Sequence, residues 1–307
     1  MTVLEAPASR ELAVMRQRLF LRAMLLLLAV FWLTGFSFAQ ETGKPLRIAI
    51  LPCNNIEITF KKFYTLLKYL QQETGLALKL EVPHNFAEFA SSVRNGEIDF
   101  ALQDPHTYIM LARFFNQGEL LKTLNTEGGH TQAGVVVVRQ DSHLKKLTDL
   151  KGKMVMFGPK ASATKWVAAK WLFAENGLDI DKDLKGYVNG GCCEDIAFSV
   201  YLKSVDAGVV CDHFLAEHQE KQKELGVKAA QLTVIGRTKD MPTRVFVARR
   251  GLDPNIVHKV NQALRKLDRN KPEHAKILFR GELGGFQKAK DREYDGLRKI
   301  NWAEMMN

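Results

Sequence analysis

The chain has 307 residues, of which 46% are hydrophobic and 25% charged, and its formal net charge is +10. This length and composition suit a folded protein of about two domains and exclude a largely disordered chain. The Lys and Arg residues are spread along helical stretches without a dense basic run. We therefore interpret them as solvated surface and expect no binding to nucleic acid.

The first 39 residues predict a secretory signal peptide. A basic stretch ending at Arg22 precedes an apolar stretch over 23–38, and small residues at positions −3 and −1 favour cleavage after Ala39. The apolar stretch is somewhat short for a membrane anchor. We therefore expect an exported protein that works in the periplasm.

Two further features bear on this N-terminal segment. Met15 begins the basic stretch, so either Met1 or Met15 can serve as the start of translation. The first cysteine, Cys53, lies well beyond the apolar stretch, which disfavours a lipid-anchored start.

From residue 45 onward, strand-like and helix-like runs alternate along the chain. The first set predicts strands over 46–51, 76–82 and 98–102. It predicts a helix from about Ile58 that ends at Gly75, a helix over 86–95 and a helix after Pro105. This rhythm implies a parallel sheet with helices on both faces.

An unbroken valine run opens the second set and predicts a buried strand over 135–139. Further strands are predicted over 154–157, 186–188, 207–210, 231–235 and 245–248, and helices over 163–175, 194–202, 214–223, 254–267 and 272–279. Two such sets predict two lobes, with the chain going out once and returning once. The first lobe is expected to comprise 45–135 and 240–307, and the second 140–232.

Three stretches of sequence carry a family resemblance. They are Gly-Glu-Ile-Asp-Phe-Ala-Leu-Gln-Asp-Pro-His-Thr-Tyr over 96–108, Asp-Ser-His-Leu-Lys-Lys-Leu-Thr-Asp-Leu-Lys-Gly-Lys over 141–153 with Phe157-Gly158 and 162–164 after it, and Val-Asp-Ala-Gly-Val over 205–209. Together they resemble the phosphate/phosphite/phosphonate-type substrate-binding components of ABC importers. The resemblance extends over about residues 46–300.

The resemblance implies the type II periplasmic binding protein fold. In this α/β architecture each of two lobes has a mixed, mostly parallel sheet flanked by helices, and a cleft lies between the lobes. It also implies closure by hinge motion around a small solute, at the carboxyl ends of strands and the amino ends of the following helices. We expect no enzymatic step and no cofactor, and we expect a monomer that hands its ligand to an ABC permease.

Two turns identify candidate ligand-binding residues through this resemblance. Phosphate-binding members use a Ser-Thr-Ser-Gly turn at a helix start, and here Ala161-Ser162-Ala163-Thr164 stands in its place, followed by Lys165. The family's Gly-Pro-x-x-Tyr in the first lobe corresponds to Asp104-Pro105-His106-Thr107-Tyr108. The candidates from these turns are Asp104, His106, Tyr108, Ser162 and Thr164.

The four cysteines form a second group of candidates. Cys53, with Asn54 beside it, follows the first strand; Cys192 and Cys193 begin a helix; and Cys211 ends a strand just before His213. In the implied fold all these positions face the cleft. The helix start favours thiolates at Cys192 and Cys193, and thiolates bind soft ions.

The cysteines lead to the hypothesis that the cleft holds arsenite or a metal ion such as Zn²⁺ or Cu⁺. The ligands would be Cys53, Cys192, Cys193 and Cys211, with His106 or His213 adding a nitrogen. Related binding proteins sense arsenite through a cleft cysteine, and this chain resembles them in having cysteines at cleft-facing positions. Such a protein would signal through a sensor histidine kinase.

Other interpretations of the cysteines stay open. An exported protein favours disulfides, and Cys192–Cys193 and Cys53–Cys211 are the pairs considered. A thiol redox enzyme is a further alternative, although the chain has no C-x-x-C pair. The sequence thus predicts a periplasmic protein that closes over a small oxyanion or a thiophilic ligand.

Overall fold

The protein is described by a computed structural model over residues 44–51, 56–214 and 232–300. Its strands are β1 (Leu46–Ile50), β2 (Leu78–Glu81), β3 (Phe100–Gln103), β4 (Leu120–Leu124), β5 (Thr131–Gln132), β6 (Gly134–Arg139), β7 (Met154–Phe157), β8 (Gly186–Asn189), β9 (Ala207–Cys211), β10 (Leu232–Arg237), β11 (Met241–Pro242), β12 (Val245–Ala248) and β13 (Gly285–Ala289). Its α-helices are α1 (Ile56–Thr74), α2 (Phe86–Arg94), α3 (Pro105–Leu111), α4 (Ala168–Glu175), α5 (Cys193–Tyr201), α6 (Pro254–Arg265), α7 (Pro272–Arg280) and α8 (Asp295–Arg298).

The strands form two main sheets. The larger sheet has the order β13-β4-β12-β3-β1-β2, and the smaller has the order β10-β6-β9-β7-β8. We call the larger sheet with α1, α2, α3, α6, α7 and α8 the first lobe, and the smaller sheet with α4 and α5 the second lobe. The two-lobed, mixed α/β fold predicted from the sequence is confirmed, whereas the residue boundaries of the lobes stay a prediction.

Parallel pairing does not predominate among the described strands. In the larger sheet β1 runs parallel to β2 and to β3, whereas the pairings of β12 and β13 are antiparallel. The smaller sheet has two parallel and two antiparallel pairings. The return of the chain explains this difference from the predicted mostly parallel sheets. Strand β12 enters the larger sheet at the end where β3 leaves it, and so runs opposite to β3.

Side chains on successive strand residues point to opposite faces, and this explains the valine run in β6. Val135 and Val137 pack with Ile196 and Val200 of α5 on one face, whereas Val136 and Val138 pack in a separate cluster on the other face. Both faces of β6 are covered, so every position in the middle of the strand is apolar. The predicted buried strand is confirmed.

The helices of the first lobe follow the same logic with a period of 3.6. In α1 the buried residues Phe63, Leu66, Leu67 and Leu70 form a stripe that packs with α6 and α7 on one face of the larger sheet. Helices α2 and α3 cover the other face. Asn85 caps α2 by accepting a hydrogen bond from Glu88 N at 3.0 Å, as its position before the helix suggests.

Most predicted elements are present within one or two residues of their expected bounds. The predicted helix over 163–175 begins with a π-helical turn, Ala163–Val167, before α4. The strands β4 and β13 are absent from the prediction. Beyond Phe214, the predicted helix over 214–223 lies outside the described residues. The predicted signal peptide also lies outside them. Within the described ranges, no helix combines the length and apolar character that crossing a membrane requires.

Candidate functional site

A cleft of about 400 Å³ lies between the two lobes. The first lobe lines it with residues at the ends of β1, β3 and β4, before β12 and at the start of α1. The second lobe lines it with the loop after β7, the start of α5 and the end of β9. This is the edge where strands give way to helices, which is the usual location of ligands in open α/β sheets.

The register of the larger sheet brings two polar residues to this edge. Val245 is the partner of Gln103 across the β3–β12 pairing. Arg244, which directly precedes Val245, therefore emerges beside the carboxyl end of β3. Gln103 and Arg244 both line the cleft.

Both side chains have hydrogen-bonding capacity that the described residues do not use. Gln103 is 1% exposed, and neither its amide nitrogen nor its amide oxygen has a hydrogen-bond partner within the described part of the chain. The Arg244 guanidinium donates to the carbonyl oxygens of Gly281 and Glu282 and pairs with no carboxylate among the described residues. A buried amide without partners costs stability, so Gln103 has hydrogen-bonding capacity left for a ligand.

The second lobe contributes a turn that holds Ser162 and Lys165. The Ser162 hydroxyl accepts a hydrogen bond from Lys165 N at 3.1 Å, and Lys165 Nζ donates to Gly191 O at 3.0 Å. Lys165 is only 4% exposed. A Cβ added at Gly158 would lie 2.5 Å from the Lys165 Cβ, so the Phe157-Gly158 pair makes room for this buried lysine.

Asp104 connects the two lobes. Its Oδ1 accepts hydrogen bonds from His106 N at 2.9 Å, at the start of α3, and from Ala163 N at 3.3 Å, at the start of the π-helical turn. The carboxylate of Asp104 in the first lobe thus accepts a hydrogen bond from a backbone N–H at a helix start in the second lobe. Such a helix start suits an anion.

His106 makes a second connection. Its Nδ1 lies 3.2 Å from Ala161 O, and because a carbonyl only accepts, Nδ1 carries the proton. Burial lowers the pKa of His106 to about 4, although the bond to Ala161 favours the charged form. His106 is therefore a neutral, fully buried residue at neutral pH.

Lys62 at the start of α1 forms an ion-pair bridge. Its Nζ lies 2.8 Å from Glu282 Oε1 in the same lobe and 3.1 Å from Glu194 Oε1 at the start of α5. Burial alone lowers the pKa of Lys62, but the carboxylates of Glu282 and Glu194 outweigh burial and raise that pKa above its usual value. Lys62 is therefore charged and forms ion pairs with one carboxylate of each lobe.

Three cysteines line the second-lobe side of the cleft. Cys192, Cys193 and Cys211 are thiols without a disulfide among the described residues, so the vicinal Cys192–Cys193 bond is not formed. Cys193 Sγ accepts a hydrogen bond from Cys211 N at 3.2 Å, which joins the start of α5 to the end of β9. Cys53 lies outside the described residues, so its pairing and its role stay predictions.

No metal centre is assembled in the described ranges. There, no group of three or more His, Cys, Asp and Glu side chains is arranged to hold a metal ion. The predicted set of four cysteines includes Cys53 and is not tested by this observation. The described thiols by themselves do not form a closed metal cage.

The structure brings six of the predicted site residues to the cleft: Asp104, Ser162, Cys192, Cys193, Cys211 and His213. Cys53 and Asn54 lie outside the described residues. His106, Tyr108 and Thr164 are not among the lining residues, and each differs from the prediction for a physical reason.

Tyr108 is fully buried in the first lobe, where its ring packs 5.2 Å from that of Tyr294 and its hydroxyl donates to Asp291. Thr164 is 1% exposed, and its hydroxyl accepts from Gln132 Nε2 at 3.2 Å. His106 is turned toward Ala161. All three side chains are held by protein partners behind the cleft wall.

Four cleft residues with chemistry suited to a ligand were not predicted from the sequence: Lys62, Gln103, Lys165 and Arg244. Gln103 directly precedes Asp104 at the end of the same strand, so its position next to the family's turn is a signal that could have identified it. Lys165 entered the sequence analysis only as the residue that follows the Ala161–Thr164 turn. Nothing in the local sequence marks Lys62 or Arg244.

Comparisons with known proteins agree on one family. Residues 48–294 match the family described as "ABC transporter, phosphonate, periplasmic substrate-binding protein". The phosphate-import protein PhnD of Mycolicibacterium smegmatis is 20% identical over 281 residues, covering 85% of this chain and 86% of that protein. The phosphonates-binding periplasmic protein of Escherichia coli is 22% identical over 267 residues, covering 85% of this chain and 77% of that protein.

A solved structure supports the fold. PhnD1 of Prochlorococcus marinus, in complex with methylphosphonate, superposes with a TM-score of 0.73 at 18% identity, covering 86% of this chain and 99% of that one. At this identity the likeness concerns the fold alone.

Proposed function

Because the chain belongs to the family of periplasmic substrate-binding proteins of phosphonate ABC transporters, we propose that it binds a tetrahedral phosphorus oxyanion in its cleft and delivers it to an ABC permease. Proteins of this family bind solutes for transport rather than convert them, and they work in the periplasm. Delivery to a sensor histidine kinase and the monomeric state stay predictions.

The observation that carries the proposal is the pair of Gln103 and Arg244 at one edge of the larger sheet. Arg244 presents a cation that no described carboxylate neutralises, and Gln103 presents a buried amide that lacks a partner within the described ranges. A guanidinium suits the oxygens of a phosphonate or phosphate, since its donors form a planar fork. An amide N–H donates to the same oxygens.

The second lobe supports the same ligand chemistry. Ser162 and Lys165 line the opposite side of the cleft, where a hydroxyl and a buried ammonium add donors. Lys62 contributes little to anion binding because it is already paired with Glu194 and Glu282. An oxyanion held between Arg244 and Lys165 would contact both lobes and favour closure, since it binds the closed state better than the open one.

Calorimetric titration of the purified mature protein with phosphate and with methylphosphonate tests the proposal. We expect the wild-type protein to bind at least one of the two anions. We expect the affinity to fall at least tenfold in Arg244→Met, because the oxyanion loses the guanidinium as its charge partner. The matched control is Arg292→Met, an exposed arginine outside the cleft. Absence of binding by both anions in the wild type, or equal binding in Arg244→Met, would refute the oxyanion function.

A second candidate ligand is a thiophilic ion, favoured by the presence of Cys192, Cys193 and Cys211 in one cleft wall. Alkylation of the native protein with and without arsenite tests it by mass spectrometry. Protection of Cys193 and Cys211 by arsenite supports this function. Equal labelling in both samples counts against it.

A further inference from the structure

The cleft is larger than the headgroup that it is proposed to hold. Its volume of about 400 Å³ is more than ten times the roughly 30 Å³ that a water molecule occupies in the liquid. A phosphate ion has only five non-hydrogen atoms and would leave most of this volume to water. Volumes of about 300–1,000 Å³ are typical of sites for whole organic ligands.

The cleft also has an apolar wall made by both lobes. The first lobe contributes Phe63, Phe86 and Leu124, and the second contributes Pro159 and Phe214. Water left against these side chains after closure would be unfavourable. The hydrophobic effect stabilises the complex only when apolar atoms of the ligand replace that water. Inorganic phosphate has no such atoms.

The apolar wall adjoins the oxyanion donors. The guanidinium carbon of Arg244 lies 5.8 Å from the centre of the Phe63 ring. Phe63 is buried, and Phe86 is the first residue of α2 and is half-buried. A ligand whose headgroup contacts Arg244 therefore places its substituent close to aromatic side chains.

From this arrangement we propose that the ligand is a phosphonate or phosphate monoester with an apolar organic substituent about the size of a ring, and that inorganic phosphate is a poorer ligand. The proposal rests on the oxyanion function given above. The headgroup contacts Arg244, Gln103 and the second-lobe donors. The substituent displaces water from the aromatic wall.

Calorimetry with matched pairs of ligands tests this inference. Methylphosphonate is compared with phenylphosphonate, and phosphate with phenyl phosphate, so that the two sources of the headgroup are distinguished. We expect each phenyl compound to bind at least tenfold more tightly than its partner, which is about 1.4 kcal/mol. The heat-capacity change on binding should be more negative for the phenyl compounds.

Two phenylalanine variants locate the effect. In Phe86→Ala we expect the affinity for phenylphosphonate to fall at least threefold and that for methylphosphonate to change less than twofold. Phe198→Ala, an exposed residue of α5 that does not line the cleft, is the control and should change neither. Retained phenylphosphonate affinity in Phe86→Ala would count against the aromatic wall as the binding surface.

The possible outcomes separate this inference from the proposed function. If methylphosphonate and phosphate bind at least as tightly as the phenyl compounds, the organic substituent is refuted and the oxyanion function stands. If neither headgroup binds in any form, both proposals are refuted. A preference in only one of the two pairs assigns the ligand to phosphonates or to phosphate esters.

Discussion

The ammonium nitrogen of Lys62 lies 3.1 Å from a carboxylate oxygen of Glu194, and this ion pair joins helix α1 of one lobe to the first turn of α5 in the other. The two residues are 132 positions apart in the chain. Their side chains are 19% and 24% exposed, so solvent screens the pair less than it screens an exposed ion pair. The contact links the two lobes directly, so we expect it to favour the arrangement in which they lie together.

Replacement of this lysine should weaken ligand binding without touching the oxyanion donors. In Lys62→Met, Glu194 and Glu282 would lose the cation that they share, and the closed form would be less populated. We expect the affinity for methylphosphonate to fall about tenfold, because binding requires the closed form. Titration calorimetry measures the affinity, and small-angle X-ray scattering of the unbound protein measures the opening.

A neighbouring residue provides the control for this prediction. Lys61 pairs with Glu57 on the same helix, but both side chains are more than 70% exposed. Lys61→Met should therefore change affinity and unfolding free energy very little. Equal effects of the two substitutions would show that the bridge to Glu194 has no special role in closure.

The buried amide of Gln103 predicts a trade-off between stability and binding. Gln103→Leu replaces a buried amide without a described partner by an apolar side chain of similar size. We expect the free energy of unfolding of the ligand-free protein to rise by about 1 kcal/mol, since a desolvated polar group is removed. Affinity for the oxyanion should fall in the same variant.

Urea unfolding and calorimetry measure the two effects of Gln103→Leu. Gln71→Leu is the control, because Gln71 Nε2 donates to Leu78 O at 2.9 Å and its loss should destabilise the protein. A destabilised Gln103→Leu protein would mean that the amide has a partner in the folded state and is not held for a ligand.

The close approach of Gly158 to Lys165 predicts a strong effect of one methyl group. In Gly158→Ala, the new Cβ would lie 2.5 Å from the Lys165 Cβ, and one of the two segments has to move. We expect a loss of about 1–3 kcal/mol in unfolding free energy, together with weaker oxyanion binding as Lys165 is displaced. Thermal and urea denaturation measure the first effect.

Gly296 in α8 serves as the reference for Gly158. A Cβ there would meet nothing within 4 Å, so Gly296→Ala should be neutral or slightly stabilising. If Gly158→Ala is as stable as Gly296→Ala, then Gly158 is not required to accommodate Lys165.

The buried His106 predicts a loss of stability in acid. Its pKa is about 4 in the folded protein and about 6.5 in the unfolded chain, so the unfolded state binds the proton more readily. The contribution of His106 to stability is therefore unaffected above pH 6.5 and is lost as the pH falls from 6.5 toward 4. The loss should approach about 3 kcal/mol at pH 4.

Urea unfolding at several pH values isolates this contribution. In His106→Asn, where the side-chain amide can still donate toward Ala161 O, we expect the fall in stability between pH 7 and pH 4.5 to be about 1–3 kcal/mol smaller. His258→Asn, an exposed substitution on α6, should keep the full dependence of the wild type. An unchanged pH dependence in His106→Asn would show that His106 titrates alike in both states.

Much of the fold followed from local patterns in the sequence. The valines of β6 predict a strand buried on both faces, and the apolar stripe of α1 predicts a helix with one buried face, because these periods depend only on backbone geometry. The family resemblance pointed to Asp104 and Ser162, and the implied fold put Cys192 and Cys211 where strands give way to helices. The structure has all four at the cleft. Strands β4 and β13 were missed because each begins with two adjacent buried residues and so lacks the alternation of a half-buried strand.

The donor set of the cleft was decided by the tertiary structure alone. Gln103 and Arg244 meet because β12 returns antiparallel to β3, and no local pattern encodes that pairing. Tyr108 and Thr164 turn away from the cleft because Asp291 and Gln132 hold their hydroxyls. Sequence periodicity determines which face of an element is buried, but the partner of a polar side chain depends on contacts between residues far apart in the chain.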